Sequence, residues 1–302
     1  MKHSKIAIIG AGRVGATIAY TLMLKNLISE ILLVDIDLQK CKGEVLDLSD
    51  VLSFSVASQI GVASMQQAGT ADIIIITATG VTQKPEQSRI ELLEQNKKAI
   101  SSIVKKLQPI NPEAIIIIVT NPVDLLALYT QVFSGLARNQ VFGSGTLLDS
   151  IRLQLAIAQK VGVAEESVQA YILGEHGDTQ FPAWSSAQIS GVPLSYFPEI
   201  TEADLLEMAQ AAKQKGYEIG RGKGATFFGV ASCVAMICES IIFNQKRVIP
   251  VSCYNKQYDI CMSMPAIIGK HGIEKILNVP FNEQERELFE TSARFLLEQK
   301  LI

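Results

Sequence analysis

Lys5-Ile6-Ala7-Ile8-Ile9-Gly10-Ala11-Gly12-Arg13-Val14-Gly15 is the stretch from which the rest of the chain can be read. A short Ile-rich run meets three glycines spaced G-x-G-x-x-G. Apolar residues then recur at helical spacing through Val14, Ile18 and Leu22. The glycine pattern alone is weak, but between a strand and a helix it is specific. The first Gly permits a tight turn, the second lets backbone approach a pyrophosphate, and the third lets helix pack closely on strand. The helix start adds free N–H groups and a positive dipole end. Asp35 closes the next apolar run, 20 residues beyond Gly15. A carboxylate there accepts hydrogen bonds from a ribose diol and repels a 2′-phosphate, which favours NAD over NADP. Gly10, Gly12, Arg13, Val14, Gly15 and Asp35 are thus expected to form a cofactor site; a tight turn holding no ligand is the alternative.

The same rhythm continues outward. Ile31–Asp35, Asp72–Thr77 and Ile115–Thr120 are nearly continuous in Ile and Val. That pattern suits parallel strands covered on both faces. Strand–helix alternation implies a doubly wound α/β sheet of Rossmann type. The second half is less regular: a helix from about Leu147 to Lys160, a strand over Val168–Leu173, a helix over Glu202–Gly220, a loop near 191–198 and a closing helix over Glu283–Gln299. The expectation is a nucleotide-binding domain over residues 1–144 and an α+β substrate domain over 145–302. That agrees with 302 residues at roughly 150 per domain.

Composition narrows the class. With 48% apolar and 19% charged residues the chain buries enough surface to fold. A net charge of -3 gives no electrostatic case for nucleic acid. The most apolar uncharged window, Gly224–Cys238, is too short to span a bilayer and could serve an interface or a core. The run Ile6–Ile9 stops at Gly10 without a cleavage pattern, so no secretory signal is expected. Cys41, Cys233, Cys238, Cys253 and Cys261 lack a C-x-x-C pair and read as reduced thiols of a cytoplasmic protein. No Cys or His pair has zinc-ligand spacing, so no metal is expected.

Four places carry candidate chemistry. His176 lies between glycines in Gly174-Glu175-His176-Gly177-Asp178, just past a strand. Asp149 and Arg152, three apart, share one helix face; they are either a surface salt bridge or, at a domain junction, a His-orienting carboxylate beside a cation for a substrate carboxylate. Gly80–Ile90, with Gln83, Lys84, Pro85 and Arg89, is either a solvated loop or a lid bringing Arg89 over a substrate. Asn121, in Thr120-Asn121-Pro122-Val123-Asp124, ends a strand where an amide can meet a ligand.

Taken together, Gly10–Gly15, Gly80–Arg89, Thr120–Asp124, Leu148–Arg152, Gly174–Asp178 and Gly224–Thr226 resemble the lactate/malate dehydrogenase family in order and content, and within it the bacterial L-lactate branch, over nearly the whole chain. The resemblance implies reduction of pyruvate by hydride from NADH, as in fermentation after glycolysis, with His176 giving the proton. It implies that Asp149 holds the imidazole and raises its pKa. Arg152 would bind the substrate carboxylate as a bidentate partner, and Arg89 would polarise the carbonyl. Asn121, Asp124, Gln83 and Thr226 fall at further substrate positions. Lys40, Gly80, Val81, Ser102, Val119, Asn121 and Ser144 fall at NAD positions. Malate enzymes of the family carry arginine where Gln83 stands; a neutral amide leaves a second carboxylate unpaired, which points to pyruvate/lactate. Gln154 and Gln169 stand where many bacterial relatives place cations for fructose 1,6-bisphosphate, so that activation is not expected. The resemblance further implies a homotetramer. The short lead before the first strand, without the long arm of vertebrate relatives, suggests a bacterial enzyme. Malate dehydrogenase is the alternative within the family, opposed by Gln83. A silent NAD-binding protein is the alternative outside catalysis, opposed by His176, Arg89 and Arg152.

Overall fold

The computed structural model describes residues 5–26, 30–55, 59–80 and 89–300, with side chains from residue 92 onward in the last span. Val81 and Gln83, and the side chain of Arg89, lie outside the described residues.

The first half alternates as its pattern predicts: β1 (Lys5–Ile9), α1 (Arg13–Leu24), β2 (Glu30–Val34), α2 (Leu38–Asp50), β3 (Gln59–Val62), α3 (Met65–Gly69), β4 (Ile73–Ile76), α4 (Arg89–Leu107), β5 (Ile115–Ile118), α5 (Val123–Ser134) and β6 (Val141–Gly143). β4 and β5 are each an unbroken run of isoleucine, and every one of those side chains is buried. β-branched residues suit the pleat, and burial on both faces requires helices on both sides. β1 pairs in parallel with β2 on one flank and β4 on the other. The carboxyl ends of the strands, where ligands bind in such sheets, therefore gather along one edge.

The second half comprises α6 (Leu147–Val161), β7 (Val168–Gln169), β8 (Ile172–Leu173), β9 (Phe181–Pro182), β10 (Gln188–Ile189), β11 (Val192–Pro193), α7 (Glu202–Lys223), α8 (Phe228–Ile242), β12 (Arg247–Asn255), β13 (Ile260–Gly269), β14 (Gly272–Ile276) and α9 (Glu283–Lys300). Here the structure corrects two expectations. The strand expected over Val168–Leu173 is two short strands in different sheets, β7 with β10 and β8 with β9. Tyr171 carries the β8–β9 register one step further, its carbonyl accepting from the Ala183 N–H at 2.9 Å. The larger difference is β12–β14, an antiparallel extension of the first half's own sheet. Among the described residues the order is β14-β13-β12-β6-β5-β4-β1-β2-β3. β12 and β13 lack period-2 alternation because both faces are covered, and paired Pro250 and Pro265 interrupt the strand signal.

The join between the halves is tight. Ser252 of β12 pairs with Gly143 of β6. A β-carbon on Gly143 would lie 2.6 Å from Val123 Cγ2 and 3.0 Å from Ser252 Cβ. Gly145 has φ +54°, and a β-carbon there would lie 2.5 Å from the Ser252 nitrogen. From Phe228 on, the apolar Gly224–Cys238 window forms most of α8, which packs on α1 and buries Val234, Ile237 and Cys238. No helix among the described residues is long and apolar enough to cross a membrane. All five cysteines are free and buried.

Candidate active site

The glycine turn is closed where the chain packs and open where a ligand needs room. Gly10 has φ +113°, and a β-carbon there would meet Thr77 Oγ1 at 2.7 Å and the Ala78 nitrogen at 2.8 Å. A β-carbon on Gly15 would lie 1.9 Å from the Gly10 carbonyl oxygen. At Gly12 it would meet nothing within 4 Å. Gly12 is also the N-cap of α1 and supplies no side-chain cap, so the first-turn amides remain available to an anion. Asp35 is fixed at the tip of β2: Oδ2 accepts from the Ala11 N–H at 2.7 Å and Oδ1 from the Asp37 N–H at 2.9 Å. The carboxylate thereby braces the turn and stands beside it, as a ribose partner must. These residues fit NAD.

Arg13 reaches across to the end of α7, Nη1 donating to the Lys223 carbonyl at 3.1 Å. Val14 is half-buried against the core. Lys40, on α2, and Ser102, on α4, are exposed, and neither lines the cavity described next.

That cavity has a volume of about 500 Å³ and opens between the strand ends, α6, α7 and the start of α8. Val119, Asn121, Ser144, Asp149, Arg152, His176 and Thr226 all line it. Residues from both halves of the sequence thus converge on one space. Asp149 lies in the first turn of α6, so its charge is favoured by the helix dipole. It is 3% exposed and uses both oxygens: Oδ2 contacts His176 Nδ1 at 2.9 Å and Oδ1 accepts from Arg152 Nη1 at 3.2 Å. The Arg152 side chain is only 11% exposed. Its two hydrogen bonds among the described residues, to Asp149 and to the Ala212 carbonyl at 3.4 Å, both leave from Nη1. The sequence left a surface salt bridge open for Asp149 and Arg152. The pair is buried rather than on the surface, and Asp149 joins Arg152 to His176.

His176 feels two opposed influences. Burial acts most strongly and disfavours the imidazolium. The hydrogen bond and charge of Asp149, with the charges of Asp124 and Glu175, together outweigh it, so its pKa is raised.

The loop bearing His176 is held from several elements. Gly174, at φ +90°, forms a bridge with Ser263 of β13, its N–H donating to the Ser263 carbonyl at 3.1 Å and its carbonyl accepting at 2.7 Å. Ser263 Oγ also accepts from the Thr146 N–H at 3.1 Å, which places the start of α6 by the same strand. Glu175 is buried: its N–H donates to Ser292 Oγ of α9 at 2.7 Å, and its Oε2 accepts from the Thr179 N–H at 2.9 Å. Asn96 of α4, fully buried, accepts from the Gly80 N–H at 2.7 Å and donates to the Asn121 carbonyl at 2.8 Å. It joins the loop after β4 to the loop after β5. Asn96, Ser263 and Ser292 carry no sequence signal of this role; a buried amide inside a helical pattern looks like any polar helix residue.

Asp124 borders an adjoining space with Asn121 and His176 rather than the main cavity; its carboxylate is 2% exposed and accepts from the His176 N–H at 2.8 Å. It supports the histidine from behind. It lies in the first turn of α5 and is buried there.

A nucleotide turn selective for NAD, beside a cavity holding a hydrogen-bonded His–Asp pair and a buried guanidinium, defines an NAD-dependent oxidoreductase. Two family models match, together covering nearly all of the chain: the lactate/malate dehydrogenase NAD-binding domain over residues 4–143 and the α/β C-terminal domain of the same family over residues 146–301. The chain belongs to the lactate/malate dehydrogenase family. It is 45% identical over 294 residues to L-lactate dehydrogenase A of Rhizopus oryzae, covering 97% of this chain and 91% of that protein. It is 42% identical over 303 residues to L-lactate dehydrogenase of Acetivibrio thermocellus, covering 97% and 95%. The solved structure of the minor L-lactate dehydrogenase from Enterococcus mundtii, in a ligand-bound form, is similar with a TM-score of 0.95 at 33% identity, covering 99% of this chain and 98% of that one. Lactate dehydrogenase of Cryptosporidium parvum, complexed with lactic acid and NAD, is similar with a TM-score of 0.93 at 32% identity, covering 99% and 98%.

Proposed function

We propose that this site interconverts pyruvate and L-lactate, and that its activity is that of an NAD-dependent L-lactate dehydrogenase. The observation that carries the reading is the His176 Nδ1–Asp149 Oδ2 contact at 2.9 Å inside the cavity that also holds Arg152. NADH supplies the hydride when bound at the glycine turn. With Nδ1 engaged by Asp149, the proton available to a substrate oxygen sits on Nε2 of His176. Asp149 fixes the ring and stabilises the imidazolium before transfer. Arg152, largely withdrawn from water, pairs with the substrate carboxylate in a medium where that charge interaction is strong. Arg89 meets the carbonyl oxygen as charge builds there. Thr226 and Gln83 bound the small end of the substrate, and Gln83 offers no partner to a second carboxylate.

The division of labour follows the chain: residues 1–144 bind the dinucleotide and residues 145–302 supply the proton-transfer and carboxylate-binding groups. Assembly as a homotetramer in the cytoplasm belongs to the same reading. In such a cell, lactate formation reoxidises the NADH of glycolysis and sustains fermentation.

The test is NADH oxidation followed at 340 nm with pyruvate and with oxaloacetate. The reading expects a kcat/KM for pyruvate at least about 100-fold above that for oxaloacetate. A preference for oxaloacetate would make the chain a malate dehydrogenase, and no turnover with either would leave a silent NAD-binding protein.

A further inference from the structure

Asp124 is an acid that the mechanism above does not use, yet its carboxylate is hydrogen-bonded to the backbone of His176. Its Oδ2 accepts from the His176 N–H at 2.8 Å. Its Oδ1 is buried and makes no hydrogen bond among the described residues, and the same holds for Ser252 Oγ of β12. Burying a carboxylate with one oxygen unpaired is costly. An amide in its place would accept from the same N–H and offer a donor to Ser252, so packing alone gives no reason for a charge here.

We propose that Asp124 is a positioning residue for proton transfer, holding the His176 loop through the backbone while its negative charge adds to that of Asp149 in favouring the protonated imidazole. The inference rests on the reading of His176 as the proton donor. Two carboxylates then face one histidine. Asp149, on α6, acts on the ring, and Asp124, on α5, acts through the main chain and through space. The histidine is fixed between helices that belong to different halves of the molecule.

The groups around Asp124 can be named. His176 faces it from the active-site loop and stabilises its anion; Glu175, from the same loop, opposes it. From β12 and β13 come Cys253, whose thiol burial pushes up to about 12, and Cys261, which burial also raises well above the ordinary thiol value, so both stay neutral. Ser252 Oγ lies outside hydrogen-bond geometry but close enough to favour the anion. Burial is the largest influence and prevails, lifting Asp124 from 3.8 to about 6. Its charge is therefore present above about pH 6, where the enzyme must keep His176 protonated to reduce pyruvate, and fades below it. The sign for stability is the reverse of an ordinary surface aspartate: the folded pKa is raised, so ionisation between about pH 4 and about pH 6 weakens the fold. That loss of stability is offset in function by the second negative charge on the imidazole.

The experiment compares wild type, Asp124→Asn and Asp124→Ala. The His176 imidazole is titrated by NMR in the ligand-free enzyme, and the pH profile of kcat/KM for pyruvate is measured alongside. Asp124→Asn keeps an acceptor for the His176 N–H and removes only the charge. We expect it to fold at least as well as wild type at pH 8. We also expect its His176 titration and the alkaline limb of the profile to move down together by roughly half a pH unit or more. Asp124→Ala also loses the acceptor, and its kcat should fall about tenfold or more below that of the Asn variant, with Kd for NADH unchanged in both. An Asn variant whose His176 titrates as in wild type would overturn the electrostatic part, and an Ala variant with wild-type kcat would overturn the positioning part. The ligand-free titration decides the matter even if pyruvate proves not to be the substrate, which the wild-type assay reports separately.

Discussion

Two glycines three residues apart should fail in opposite ways when changed to alanine. At Gly15 the new β-carbon would lie 1.9 Å from the Gly10 carbonyl oxygen and 3.1 Å from Thr77 Oγ1. Contacts under 3.0 Å are essentially never found, so backbone must open by about 1 Å between β1 and α1. The first partner is main chain and cannot swing aside, and Thr77 Oγ1 is itself held by hydrogen bonds to the Ile9 and Gly10 carbonyls. Overpacking of this kind costs roughly 1–3 kcal/mol or more. At Gly12 the β-carbon meets nothing, and φ -82°, ψ -176° is ordinary backbone for alanine. The poorer N-cap costs up to about 1 kcal/mol. Reduced freedom of the unfolded chain returns about 0.4–1 kcal/mol, so stability stays within about 1 kcal/mol of wild type. The open space is where a pyrophosphate must approach, and one blocked charge-assisted hydrogen bond removes about 1.5–3 kcal/mol of binding. Gly12→Ala should therefore weaken NADH roughly 10- to 100-fold. The assays are urea unfolding and quenching of protein fluorescence by NADH. A Gly12→Ala enzyme with wild-type NADH affinity, or a Gly15→Ala enzyme with an unshifted urea midpoint, would refute the division of roles.

Other consequences are open to direct measurement. His176→Asn should lower kcat by about 10²–10⁴-fold while leaving Kd for NADH unchanged; retained turnover would move the proton donor elsewhere. In the wild type, kcat/KM for pyruvate should fall as pH rises through the raised His176 pKa, and kcat/KM for lactate should rise over the same range, because the two directions need opposite protonation states. Gln83→Arg should move the ratio of kcat/KM values from pyruvate towards oxaloacetate by about tenfold or more, and an unchanged ratio would take Gln83 away from the substrate. Millimolar fructose 1,6-bisphosphate should leave the pyruvate saturation curve unchanged. Gln154 is neutral and already committed, its Nε2 donating to the Ala170 carbonyl at 2.9 Å, and a large fall in KM on addition would require a phosphate site made by other residues.

What the sequence revealed follows from how local each signal is. Gly10, Gly12, Gly15 and Asp35 act within one strand–turn–helix unit, and the isoleucine runs of β4 and β5 need no partner to be recognised. His176, Asp149 and Arg152 were legible as residue types in suggestive settings, but the hydrogen bond that joins His176 to Asp149 spans 27 positions in the chain. No periodicity records such a contact. β12 and β13 hid for a related reason: covered on both faces over most of their length, they lack the alternation that marks a half-exposed strand. Asp124 shows the limit most clearly. Its place in Thr120–Asp124 marked it as part of the site, yet which way its carboxylate points depends on a loop 52 residues further on.

The seam at Gly143 and Gly145 bears on how members of this family can exchange parts. The boundary between the two matched family segments falls at residues 143–146, where a designer would place a crossover for chimaeras. Yet Ser252 and Val123 press against Gly143, and Ser252 presses against Gly145, so atoms from both sides of such a crossover share one contact. A hybrid that takes its first part from this chain and its second from a relative with a bulkier residue at position 252 would place a misfit under the histidine loop. The unit of inheritance is therefore the seam together with β12, and a functional hybrid must carry Val123, Gly143, Gly145 and Ser252 from one parent.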